Sequence, residues 1–90
     1  MVLGFLLIPQ KSQAGIYVRI GPPGVIVETP PPPPGPAYVW IPGHWRWNGY
    51  RYVWVPGHYR HPPRPVAKWI PGRWVDGPHG WYWIEGHWRY

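Results

Sequence analysis

The stretch Tyr38–Tyr59, YVWIPGHWRWNGYRYVWVPGHY, decides the fold. It contains one eight-residue phrase twice, YVWIPGHW at 38–45 and YVWVPGHY at 52–59, on either side of Asn48-Gly49. Asn-Gly between two aromatic, period-2 runs signals a hairpin, because a two-residue type I′ turn needs φ > 0 at both central residues. With Asn48 and Gly49 as the loop, Trp47 is expected opposite Tyr50 and Trp45 opposite Tyr52. The same register sets Gly43 against Trp54 and Trp40 against Gly57. Each indole then covers a residue without a side chain, which makes a glycine tolerable inside a sheet.

The phrase recurs as AKWIPGRW at 67–74 and WYWIEGHW at 81–88. The leading tryptophans, Trp40, Trp54, Trp69 and Trp83, are spaced 14, 15 and 14 apart. So short a period is one strand and one turn. Registers centred between successive copies fall on Asn48-Gly49, on Pro63 and on Gly77-Pro78, all turn residues. The expected fold is all-β, a small four-stranded antiparallel meander of aromatic-rich strands preceded by an extended, Pro-rich arm. Trp40 and Trp45 are five apart, which puts them on opposite faces of a regular strand. A bulge at Pro42-Gly43 would return them to one face.

Composition narrows the chemistry. Ninety residues make at most one small domain. Beyond residue 15 the apolar residues are Trp, Tyr, Val, Ile and two Ala, which favour strands. Sixteen Pro and twelve Gly oppose helices. With no Cys there is no disulfide, so any core is made of indoles and phenols and is thin or one-sided. The chain is basic, with nine Lys and Arg against three Asp and Glu. Arg46, Arg51, Arg60, Arg73 and Arg89 are read first as the residues that keep a greasy sheet soluble.

Residues 2–8, VLGFLLI, are apolar but far short of the roughly 20 residues a membrane helix needs. With the small-residue site Ser12-Gln13-Ala14 they read as an export signal over 1–14 that lacks the usual positive start. Residues 15–37 follow as an extended arm ending in the polyproline run Thr29–Pro36, a spacer that stands the sheet off. Residues 38–90 form the repeat domain.

The motif set Trp40/Gly43/Trp45, Trp54/Gly57/Tyr59, Trp69/Gly72/Trp74 and Trp83/Gly86/Trp88 resembles the WXXGXW (YXWGXW) repeat family of small exported bacterial proteins. The second copy departs from the pattern by ending in Tyr59. The resemblance extends to the layout of signal, V-R-I-G-P-P segment, Pro-rich spacer and repeats. It implies export to the periplasm or cell envelope, and it implies neither an enzymatic activity nor a ligand.

An enzyme is not expected. The only Ser is Ser12 and the only Thr is Thr29, and Glu28, Asp76 and Glu85 fall in an arm, a turn and a strand. His44, His58 and His87 share one repeat position, but Arg73 fills it in copy three, so no metal site is expected. No cofactor is expected either. The expected function is that of a non-catalytic, envelope-associated structural or binding module with an aromatic, Arg-edged surface. Its candidate contact residues are Trp45, Trp47, Tyr50, Tyr52, Arg46, Arg51, Trp74 and Trp81, with Arg46 and Arg51 facing each other. The Trp and Gly residues at 40, 43, 54, 57, 69, 72, 83, 86 and 88 are assigned the structural role. Candidate partners are an envelope glycan, an envelope protein or a second copy of the chain. The alternative is single-stranded nucleic-acid binding through the same rings and arginines, which an export signal argues against.

Overall fold

A computed structural model describes residues 16–90. The apolar run and the Ser12-Gln13-Ala14 site lie outside the described residues. Eight short strands and no helix are present among them: β1 (Val39–Ile41), β2 (His44–Trp47), β3 (Tyr52–Val55), β4 (His58–Arg60), β5 (Lys68–Ile70), β6 (Arg73–Gly77), β7 (Gly80–Ile84) and β8 (His87–Arg89). They pair antiparallel as β1 with β4, β2 with β3, β5 with β8 and β6 with β7. The fold is therefore all-β, built as two long hairpins over residues 39–60 and 68–89. Each hairpin is cut into an outer and an inner ladder where the two X-Gly steps of its arms meet.

The single four-stranded meander does not form, because β4 and β5 are not paired. Residues 61–67 between them contain Pro62, Pro63 and Pro65, which have no N–H to give to a ladder. This linker instead makes a turn closed by the Ala67 amide donating to the Arg64 carbonyl at 3.0 Å.

The register differs from the sequence expectation by two residues in both hairpins. In the first, Trp47 pairs with Tyr52, Arg46 with Val53 and Trp45 with Trp54. Trp45 therefore does not face Tyr52, Trp47 does not face Tyr50, and Arg46 does not face Arg51. The cause lies at Asn48. Its carboxamide oxygen accepts the amides of Tyr50 and Arg51, both at 2.9 Å, and its own amide donates to the Arg51 carbonyl at 3.0 Å. Among the described residues only glycines have positive φ, Gly49 at 103° and Gly80 at 124°. Asn48 thus stays out of the left-handed region a type I′ loop requires, and an Asx-capped loop of four residues replaces it. In the second hairpin the loop is Pro78-His79, with Gly77 paired to Gly80.

A shift by two residues keeps every side chain on its face, since the strand period is two. It also sets ring against ring. Trp40 faces Tyr59, Trp45 faces Trp54, Trp69 faces Trp88 and Trp74 faces Trp83. Centroids lie 5.1–5.5 Å apart and the planes are inclined by 57–72°. The first three are edge-to-face and the Trp74–Trp83 pair is tilted; edge-to-face pairs each contribute about 0.5–1.5 kcal/mol beyond the area they bury.

The tryptophan-over-glycine contact survives the shift as a diagonal one. A Cβ on Gly43 would lie 2.6 Å from Cζ2 of Trp54, and one on Gly57 would meet Trp40. Trp83 covers Gly72 and Trp69 covers Gly86 in the same way. Both arms of each hairpin break together, so the break is two-sided and not the single bulge anticipated at Pro42-Gly43. It still brings rings five residues apart to one face: Trp54 and Tyr59 both donate hydrogen bonds to the arm.

The arm does not stand the sheet off. It lies along the first hairpin, held by Tyr52 Oη to the Ile20 carbonyl (2.5 Å), Trp45 Nε1 to Gly24 (2.9 Å) and Tyr59 Oη to Pro31 (2.6 Å). Its start also reaches the second hairpin, where Val18 and Trp81 exchange backbone hydrogen bonds at 2.8 Å. The hairpins touch through Trp74 Nε1, which donates to the Trp45 carbonyl at 2.9 Å, and through Tyr52, whose ring lies 5.3 Å from that of Trp74. Only Val18, Ile41, Ala67 and Trp83 are buried among the described residues, so the core is a thin layer between arm and hairpins.

Candidate functional site

Glu28 is the arm's one anchoring charge. Its carboxylate accepts Trp54 Nε1 and the Gly57 amide, both at 3.0 Å, and the Gly43 amide also bonds it. The two Pro-Gly steps explain why these amides are free. A proline cannot complete the ladder, so the glycine N–H groups of opposed arms converge without backbone partners. The Trp54 bond, then those from the glycine amides, hold the Glu28 carboxyl below the usual glutamate range.

Next to this anchor the arm and both hairpins enclose a groove of about 260 Å³. Trp45, Trp74, Trp81 and Trp83 line it together with Pro22, Pro23 and Val25, and Arg73 and His44 supply its polar side chains. His44 lies 4.8 Å from Trp83 with the ring planes 23° apart. Burial pushes the His44 imidazole below its ordinary value, with Arg46 and His58 adding and Glu85 opposing. The imidazole is therefore neutral at pH 7 and stacks on the indole as an uncharged ring. A smaller cavity of about 80 Å³ opens on the other side of the His44–Trp83 stack, at Gly72, Gly86 and Trp69.

Three of the expected contact residues, Trp45, Trp74 and Trp81, meet in the groove. Tyr52 stands behind it, its hydroxyl engaged by the arm and its pKa raised by burial. Trp47 packs edge-on against Tyr52 with centroids 5.0 Å apart. Tyr50, Arg46 and Arg51 are exposed on the tip half of the first hairpin, outside the residues that line the groove. Trp83, assigned a structural role from the sequence, is both covered and a groove wall.

Arg73, His44 and Glu28 were not singled out as contact residues. Arg73 and His44 share one repeat position, and that equivalence was the available signal, since the position comes to the groove in both hairpins. Glu28 carries no local motif. Among the described residues no three His, Asp or Glu side chains cluster to hold a metal ion.

A family model described as a WXXGXW repeat matches in two copies, at residues 35–58 and 69–89, together half of the chain. Each copy coincides with one hairpin. No curated protein and no solved structure matches the chain.

Proposed function

The chain belongs to the WXXGXW repeat family, and from that premise and the groove we propose that it is a non-catalytic, exported binding module of the cell envelope. One observation carries the reading: Trp45 of the first hairpin and Trp74 and Trp81 of the second converge on a groove that Arg73 edges. A ring-walled concavity with few polar groups suits recognition by stacking and shape more than bond-making chemistry. Serine, threonine and cysteine nucleophiles are lacking beyond Ser12 and Thr29. Export rests on the apolar run at 2–8 and the Ser12-Gln13-Ala14 site.

The groove holds a single cationic side chain, Arg73. A phosphate backbone needs several such contacts, so the geometry favours an envelope glycan or protein over nucleic acid. The test is capture of partners from envelope fractions at low and high salt by the wild type, Trp81→Ala and Arg73→Ala. Capture that survives high salt and is lost in Trp81→Ala is expected. Capture lost on raising the salt and in Arg73→Ala, with Trp81→Ala unaffected, would replace the reading with polyanion binding.

A further inference from the structure

The groove between the arm and the two hairpins presents mostly carbon. Of its indoles, Trp45 and Trp74 already donate their Nε1 hydrogens, to the carbonyls of Gly24 and Trp45, both at 2.9 Å. Pro22 and Pro23, on the arm side, have no N–H to give. Besides indole nitrogens, the polar side chains of the wall are His44 and Arg73. His44, stacked on Trp83 at 4.8 Å, is an uncharged imidazole with one donor and one acceptor nitrogen, which suits a hydroxyl.

Arg73 is the charge that sets the groove's preference. It stands where copies one, two and four of the repeat have His44, His58 and His87. The one arginine at this position thus falls in a copy that opens on the groove. None of the lining residues is acidic, and the Glu28 carboxylate beside the groove is taken by Trp54 and Gly57. A guanidinium edging a ring-walled site pairs with a planar anion, and a carboxylate fits its fork. The chain's net charge of +6 draws anions in the same sense.

Size and wall chemistry narrow the occupant further. At about 260 Å³ the groove lies just under the ~300–1,000 Å³ of ordinary small-molecule sites, which leaves room for one ring-sized unit of a longer molecule. A peptide laid here would press an amide N–H and C=O per residue against proline and indole, at a cost for each bond left unmade. A pyranose carries its hydroxyls on the rim and leaves a C–H face for the electron-rich indole faces.

We propose that the groove takes a carboxylate-bearing pyranose unit of an acidic glycan, with its C–H face on the indoles and its carboxylate on Arg73. The proposal rests on the groove being the binding site and names the chemistry of what it binds. With a single charge contact, salt weakens this binding without abolishing it.

The experiment titrates the full chain, ¹⁵N-labelled, with methyl glucuronide and with methyl glucoside, which carries CH₂OH in place of the carboxylate. The glucuronide is expected to shift the Nε1 signals of Trp74 and Trp81 and the Nε signal of Arg73. It is expected to bind about fivefold tighter than the glucoside, the gain from one charged contact at a partly open site. Arg73→Gln should bring the glucuronide down to the glucoside's level. Arg51→Gln removes the same charge outside the groove and should leave the preference in place.

Equal binding of the two sugars would overturn the proposal, and so would equal losses in Arg73→Gln and Arg51→Gln, which would make the preference a matter of net charge. Benzoate binding as tightly as the glucuronide would overturn the sugar as the occupant. Trp81→Ala separates the proposal from the reading beneath it. Sugars that bind equally and are both lost in Trp81→Ala leave the groove a binding site of another preference. Binding of both sugars untouched by Trp81→Ala sinks the groove itself. If Trp81→Ala fails to fold, the glucuronide–glucoside comparison on the wild type carries the test alone.

Discussion

The Glu28 carboxylate accepts the Gly57 amide at 3.0 Å, joining two residues 29 apart in the chain. Through this bond and its companion from Trp54 Nε1, the arm becomes part of the sheet domain. Glu28→Gln keeps the size of the side chain but presents an NH₂ group to a cluster of donors. A lower melting temperature and faster proteolysis within residues 20–34 are expected. An unchanged melting curve together with an uncut arm would show that Glu28 is not the anchor.

Acid should act on the same residue. The folded-state pKa of Glu28 is lowered, first by the Trp54 hydrogen bond. Its contribution is therefore fully present above the ordinary glutamate pKa and is lost as pH falls through the lowered folded value. Denaturant melts of the wild type should weaken progressively through that acid window. The Glu28→Gln variant should show a smaller loss over the same range, and parallel curves would exclude Glu28 as the source.

The glycine steps tolerate no side chain. A Cβ on Gly43 would fall 2.6 Å from the Trp54 ring and from the Val55 carbonyl oxygen. Gly43→Ala is expected to cost about 1–3 kcal/mol, the usual range for overpacking a filled site. Trp54→Phe in the same chain should recover part of this in equilibrium unfolding. A Gly43→Ala protein as stable as the wild type would place Trp54 elsewhere.

Ring pairing offers a direct test of register. Trp45 faces Trp54 at 5.1 Å and an interplanar angle of 72°. A double-mutant cycle with Leu at both positions should give a coupling of about 0.5–1.5 kcal/mol. The same cycle on Trp45 and Tyr52 should give less, because those residues are not cross-strand partners. The reverse order would restore the register in which Asn48-Gly49 is a two-residue loop.

Strand class, antiparallel pairing of copy one with copy two and of copy three with copy four, and the covering of each glycine by a tryptophan followed from the sequence alone. They depend on local features: period-2 aromatic runs, Asn-Gly and Gly-Pro turns, and a phrase whose spacing sets ring over glycine in either of two registers. Those two registers share a face pattern, so periodicity could not choose between them. The choice was made by the Asn48 side chain capping the amides of Tyr50 and Arg51, and by the ring-on-ring pairs that result. The sequence pattern also pointed to pairing of copies two and three, which does not occur because the three prolines of the linker leave β4 and β5 apart. What the tertiary structure alone decided is the groove and the anchor. Trp45, Trp74 and Trp81 meet only because the second hairpin packs on the first, and Glu28 gains its role only because the arm folds back over residues remote in sequence. Such contacts are set by long-range packing and by the need to satisfy free amides, and no local pattern of residues encodes them.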